Sequence, residues 1–590
     1  MLILAYLIED VIVLQTLNAN RKRDIQATLM QHGNELIEFS EYFLDLPNSI
    51  SSCLYALTMF ATFLPVEIFF STKIIHRIVV LLNSTTHRMK AAEFLSVIAD
   101  RRGKYEERLG LLELFPHLFQ ASSPFNELFS SIQIQQPAEI YDFMKQYAIV
   151  LTTLSDQLCY LCGNEDQNKR AALPEQFSNG QFFQVLLSLM QHPSIFISIY
   201  GYQMWLQLVK ANLFRENDYQ TILPLVLRAL CHSLVKLPYK KTDSEHGQMI
   251  FFHFSNVFFS LDRFLLDIAA YYIRYDFEDE IDYQKFLGKN RSILIRSINS
   301  VCQMNSYLAV PIRIGFDYAD FCFQPVHQGN LLLIDSLVSY WQVIEKHLRP
   351  LLKPNFSFNH DEILSQIDVQ SFCHRGQTLI ELLLTINVEE NFEFLAYSLR
   401  LITCLYIFTR GESTWTQRIL GHLFRVITTE RTDFSKSIAL QKQASCLIDL
   451  CLNYGHVIFI YFNDLFKVTL DLVRQQTSMD YQQPGKLAGW QWSILVECLG
   501  ILLNYSKSFQ DSARLIDQLI QPFAQILAQF DAQVNDPSTF MNYLGFNGVF
   551  TPECKFNSIL FSFLDLNIVF RQVQIVRKQR FDETSFLFIH

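Results

Sequence analysis

The apolar residues of this chain recur at helical spacing from end to end, and no run alternates with the two-residue period of a strand over a useful length. That pattern limits the fold to helices packed on helices. At 590 residues the chain is too long for one compact core. Its hydrophobic residues, 50% of the total, are spread evenly, with no long Gly-, Ser- or charge-rich linker. Such a spread fits a stack in which each unit buries a face on the next. The expected fold class is all-α, an α-solenoid superhelix of HEAT-type antiparallel helix pairs.

One pair can be read directly. Leu440, Ala444, Leu447, Ile448 and Cys451 mark an apolar face, a turn is expected at 453–456, and Tyr461, Leu465, Val468 and Leu472 mark the returning helix. Leu495, Cys498, Leu499 and Leu502 repeat the design, with Leu515, Leu519, Phe523, Ile526 and Phe530 on the partner helix and a kink at Pro522. Repeats of about 40–47 residues allow roughly a dozen pairs, a right-handed solenoid with a concave inner face. Polar and Pro/Gly punctuation places loops at 163–177, 237–249, 351–361 and 476–489. The organisation read from this is a solenoid over 1–249, an apolar insertion at 250–272 and a second solenoid stretch over 273–590. The insertion has the length of a membrane span but contains Asp262, Arg263 and Asp267, so it is expected to be an extra segment outside the regular stack and not a membrane helix. The apolar amino terminus carries Glu9 and Asp10 and reads as a core helix, not a signal sequence.

Chemistry is sparse. There is no Walker loop, no HExxH, no GxSxG and no GxGxxG between a strand and a helix, so neither an enzyme nor a cofactor is expected. The 12 cysteines are scattered through apolar stretches and read as buried thiols. Cys159 and Cys162 form a CxxC without a second pair, which favours packing over a metal site. The net charge of −10 argues against a nucleic-acid binder that works by overall positive charge. Local basic clusters remain, at 21–23, at Arg101, Arg102 and Lys104, at Lys240 and Lys241, and at 571–580. Each is either a solvated patch or part of a track for phosphates.

Several blocks together resemble the nuclear export receptors of the karyopherin-β family. They are the runs 7–17 and 21–30, the turn 101–108, His192-Pro-Ser194 with Phe196, Gln203, Met204 and Trp205, and then 234–236 and 241–244. The acidic block 275–283 with Phe286 and Arg291 follows, and weaker likeness runs from Asn453 to about residue 570. In the family the first block lies well inside the chain and many more repeats follow the last. The resemblance therefore implies a partial receptor, lacking amino-terminal repeats and the carboxyl-terminal part.

The branch resembled implies a cargo of structured double-stranded RNA, microRNA-precursor hairpins with a 3′ overhang, carried with Ran-GTP. It also implies weak contacts with the Phe-Gly repeats of nucleoporins and shuttling between nucleus and cytoplasm, with no membrane. The hold on Ran-GTP is expected to be weakened, because the family grips the GTPase with its amino-terminal repeats. The residues matching the family's overhang-binding tunnel are Gln441, Lys442, Ser445 and Gln491, and Arg101, Arg102 and Lys104 join them as basic candidates. Only Arg431 and Lys436 stand where the family has an arginine-rich entry to that helix. The acidic block is open to two readings, a face for a basic partner or a helix start stabilised by the dipole. A karyopherin carrying protein cargo and a solenoid scaffold without a transport cycle remain as alternatives.

Overall fold

The computed structural model describes residues 6, 19–120, 122–163, 171–178, 180–214, 216–235, 237, 239, 263–304, 307–324, 330–351, 369–386, 392–428, 434–477, 489–506, 508, 510–518 and 521. Among them every regular element is a helix. The chain divides into two units, Met1–His327 and Gln328–His590, a boundary different from the one expected around 250–272.

In the first unit the principal helices are α1 (Gly33–Leu44), α2 (Ile50–Ala61), α3 (Arg88–Ala99), α4 (Ala138–Cys162) and α5 (Gln181–Met190). They continue with α6 (Ile195–Lys210), α7 (Glu216–Leu234), α8 (Arg263–Asp276), α9 (Glu280–Cys302) and α10 (Ala309–Cys322). One layer runs α2, α3, α4, α6, α9, each packed on the next, and α5, α7 and α10 form a second layer against it. Helix starts follow the side-chain chemistry. Ser194 caps α6 by accepting from the N–H of Ile197 at 3.4 Å, and Asp279 caps α9 by accepting from Asp282 at 2.9 Å. Gly201 lets α6 approach the end of α5, since a Cβ there would lie 2.7 Å from the backbone nitrogen of Met190. Trp205, on the same helix, is fully buried, a burial that contributes about 3 kcal/mol.

The stretch 250–272 is described only over its second half. Residues 250–262 lie outside the described residues, but α8 begins at Arg263 and packs into the unit. Ile268, Ala269 and Tyr272 are buried. The ring of Tyr272 stacks 4.3 Å from that of Tyr141 on α4, and its hydroxyl accepts from the N–H of Gln136 at 3.2 Å.

The second unit contains α11 (Leu331–Leu348), α12 (Val369–Leu384), α13 (Phe392–Leu405), α14 (Ser413–Thr428), α15 (Phe434–Ile458), α16 (Phe462–Thr477) and α17 (Gly489–Leu502). Its layers alternate in the same way: α11, α13, α15 and α17 pack in series, and α12, α14 and α16 lie against α13, α15 and α17 respectively. The turn expected at 453–456 is instead a kink inside α15 at Tyr454 (φ −129°, ψ 19°), and the chain bends into a 3₁₀ turn at Phe459–Tyr461. That turn shifts the helical phase, so α16 buries Phe462, Phe466 and Leu470 while Val468, expected in the core, is 48% exposed. Polar side chains pin the kink. The buried Tyr454 hydroxyl donates to Glu345 at 3.0 Å, and Arg349 pairs with Glu345 at 2.6 Å and bonds Asn453.

Residues 445–472 form a run long and apolar enough to cross a membrane by composition. The kink and the 3₁₀ turn break it into two packed pieces. Leu519, Pro522, Phe523, Ile526 and Phe530, and the basic cluster at 571–580, lie outside the described residues.

Candidate nucleic-acid interface

The basic turn after α3 is built largely from its own internal bonds. Arg101 donates to the carbonyls of Thr62 and, at 3.1 Å, Leu64, filling acceptors left open at the end of α2. Its Nε is buried without a partner among the described residues. Arg102 is exposed but bridges Asp156 at 2.8 Å and Asp100 at 3.2 Å. Its bond to Asp156 raises its pKa. Lys104 is exposed, and its backbone N–H donates to Glu107 at 3.1 Å. The anchor of the turn is Arg108, which the sequence reading passed over. Its guanidinium is buried, donates from Nε to the side-chain Oε1 of Gln157 at 2.7 Å, and lies 3.6 Å from the ring centroid of Tyr160. Gln157 in turn donates to the carbonyls of Ala99 and Arg101. Burial holds the guanidiniums of Arg101 and Arg108 below their ordinary pKa.

On α15, Gln441, Lys442 and Ser445 fall within two turns of one another. The side chains of Gln441, Lys442 and Lys436 lie outside the described residues, as does Arg431. Ser445 is half-buried and accepts from Arg400 Nη1 on α13 at 3.1 Å. The same nitrogen pairs with Asp449, one turn further along α15, at 2.6 Å. Arg400 is thus a cation on this face that sequence reasoning missed. Gln491 lies at the start of α17. It is buried and its amide donates to the carbonyl of Ile427, so it is a packing residue of the stack.

The His192-Pro-Ser194 block is the corner between α5 and α6, and it closes a buried network. His192 Nδ1 accepts from the N–H of Ser194 at 3.0 Å, and its Nε2 lies 3.1 Å from the Ser131 hydroxyl. The Ser194 hydroxyl lies 2.5 Å from that of Tyr141, which donates to Asp276. Lys145 pairs with Asp276 at 3.1 Å and Asp142 at 2.9 Å. Burial lowers the pKa of His192 to about 3, and with Nδ1 accepting, the ring is the neutral Nε2–H tautomer. Burial pushes the Asp276 carboxyl up, against the opposing pull of Tyr141 and Lys145. Beside the corner is a cavity of about 480 Å³ lined by Met190, His192, Leu225, Arg228, His232 and Tyr283. Burial lowers His232 to about 4.

The acidic block is a helix start. Asp279 caps α9, and Phe277, Tyr283 and Phe286 pack with Ile195, Phe196 and Leu237. Its outer corner, Glu278 to Asp282, is exposed. Cys162 is buried, and burial pushes the Cys159 thiol up to about 12, which favours inert packing over thiolate chemistry. Among the described residues no group of three or more His, Cys, Asp or Glu is placed to hold a metal.

The model of the Exportin-5 family matches residues 138–585. The chain belongs to the Exportin-5 family. The match takes in the α13/α15 face and begins after the turn at 101–108. Exportin-5 of Homo sapiens is 23% identical over 597 residues, covering 92% of this chain and 45% of that protein. Exportin-5 of Mus musculus is 22% identical over 602 residues, with 92% and 45% covered. Exportin-5 of Dictyostelium discoideum is 20% identical over 576 residues, with 90% and 46% covered. The chain therefore spans a little under half the length of these Exportin-5 relatives. A crystal structure of importin beta aligns over 94% of this chain and 92% of that one, at 10% identity and a TM-score of 0.21, a superposition too loose to carry an argument.

Proposed function

We propose that the chain works as a nuclear export receptor for structured double-stranded RNA, taking microRNA-precursor hairpins from nucleus to cytoplasm with Ran-GTP. Phe-Gly repeats of the pore are its transient partners in transit. The observation that carries this reading is the Exportin-5 family match over 138–585. The physics suits a helical stack. A-form RNA hides its base edges in a deep major groove, so a receptor meets its phosphates and 2′-hydroxyls and reads shape. Gln441, Lys442 and Ser445 on α15 are the contacts proposed, with Lys104 as a solvated cation in the turn. Arg101, Arg102 and Gln491 are engaged within the fold.

The test is a binding series with hairpins of unrelated sequence over a range of salt. Similar affinities for all hairpins, falling as salt rises, are expected from phosphate recognition. Affinity independent of salt, or the absence of RNA binding, overturns the reading. A second reading, a receptor for basic protein cargo, is favoured by the exposed acidic corner Glu278–Asp282. Binding of a polybasic peptide, lost when those carboxylates are replaced and unaffected by hairpin RNA, would select it.

A further inference from the structure

We propose that the cavity beside the His192 corner is a binding site for a small amphipathic anion, an apolar chain ending in one carboxylate, of which a medium-chain fatty acid is the simplest form. The site lies wholly within the first unit and is independent of the RNA reading. Its volume, about 480 Å³, falls in the range of sites that enclose whole small molecules, roughly 300–1,000 Å³. The walls are the corner between α5 and α6, one stripe of α7, Ala269 of α8 and the first two turns of α9. The stripe is Leu225, Arg228, Ala229 and His232, the i, i+3, i+4, i+7 spacing of a single helix face.

Burial and charge together select the ligand. Met190, Ala229, Ala269 and Tyr283 are almost wholly buried, whereas Arg228 is half-buried and Leu225, one turn away, is 40% exposed. A ligand with its tail inward and its head at Arg228 follows that gradient, and Ile195, Leu237 and Leu287 add apolar wall. Arg228 is the one charged side chain among the lining residues, and no described carboxylate lines the space. His192 and His232 are held neutral by burial and add no charge near neutral pH. Several polar wall groups are engaged elsewhere. The Tyr283 hydroxyl donates to the Leu237 carbonyl at 2.8 Å, Ser198 donates to the Ile195 carbonyl at 3.3 Å, and Ser233 shares a hydrogen bond with Tyr202 at 2.6 Å. A guanidinium only donates, through a planar fork that matches the two oxygens of a carboxylate. The cavity thus combines a cationic entrance with an apolar, uncharged interior.

The test is calorimetric titration of the full chain at neutral pH with decanoate, kept below its micelle concentration. One decanoate per chain is expected, with affinity falling roughly fourfold for each methylene removed in a series down to hexanoate. Decanol, with the same chain and no charge, should bind about tenfold more weakly, and decyltrimethylammonium more weakly still. Arg228→Gln should weaken decanoate binding about tenfold and leave decanol binding unchanged, a split that a folding defect does not produce. Ala229→Leu, which places a side chain into the space, should weaken both ligands together, and thermal unfolding of each variant is recorded alongside. No saturable binding of decanoate to the unsubstituted chain, equal affinities for decanoate and decanol, or full binding by Ala229→Leu overturns the proposal. None of these outcomes bears on RNA binding.

Discussion

The turn at 101–108 and the α13/α15 face were both basic candidates, yet they use their arginines in opposite ways. In the turn, Arg101 fills backbone carbonyls, Arg108 is buried on Gln157, and Arg102 answers two carboxylates. On α13, Arg400 holds one carboxylate and one hydroxyl through a single nitrogen, with no further partner among the described residues. The number of basic residues therefore says little about ligand binding. What decides is how many donors remain once the fold has taken its share.

The largest expected effect bears on the first unit as a rigid, closed structure. His192 and His232 are held neutral, at about 3 and about 4, against an unfolded value of 6.5. Their folded pKa values are depressed, so the unfolded chain binds protons that the folded one refuses. Their stabilising contribution is full above pH 6.5 and is lost as pH falls from 6.5 towards 3, a loss on the order of several kcal/mol. Asp276, raised by burial, acts in the opposite sense and blunts the loss at the acid end. Thermal unfolding from pH 8 to pH 4 checks this, and a His192→Gln chain should show a shallower decline.

Arg108→Leu is next. It strands the buried side-chain Oε1 of Gln157 and should cost about 3 kcal/mol in denaturant unfolding, with RNA affinity unchanged. Loss of RNA affinity at intact stability would break the contrast between the two regions. Arg101→Ala uncovers the end of α2 and should cost about 1–2 kcal/mol by the same measurement. Arg102→Ala, at an exposed pair, should change stability by less than about 1 kcal/mol.

Much of this was legible in the sequence. Helical spacing sufficed for the stack, and Leu495, Cys498, Leu499 and Leu502 are buried together as read. The misses have local causes. Val468 points outward because the 3₁₀ turn at 459–461 resets the phase, and no periodicity across a break reveals its register. Gln491 looked available because a polar residue at a helix start usually is. Its acceptor, the Ile427 carbonyl, lies 64 positions away in sequence. Arg400 did carry a signal, one charge in an apolar helix, matched by Asp449 between Leu447, Leu450 and Cys451 on another. Pairing two such isolated charges requires knowing that α13 packs on α15.

The central claim is that RNA phosphates meet the α13/α15 face and not the arginines of the turn. It is tested most directly by comparing salt slopes of hairpin binding for Lys442→Gln and Arg102→Ala, each against the unsubstituted chain. The slope should fall by about one for Lys442→Gln and stay unchanged for Arg102→Ala. A fall for Arg102→Ala with no change for Lys442→Gln would contradict the account.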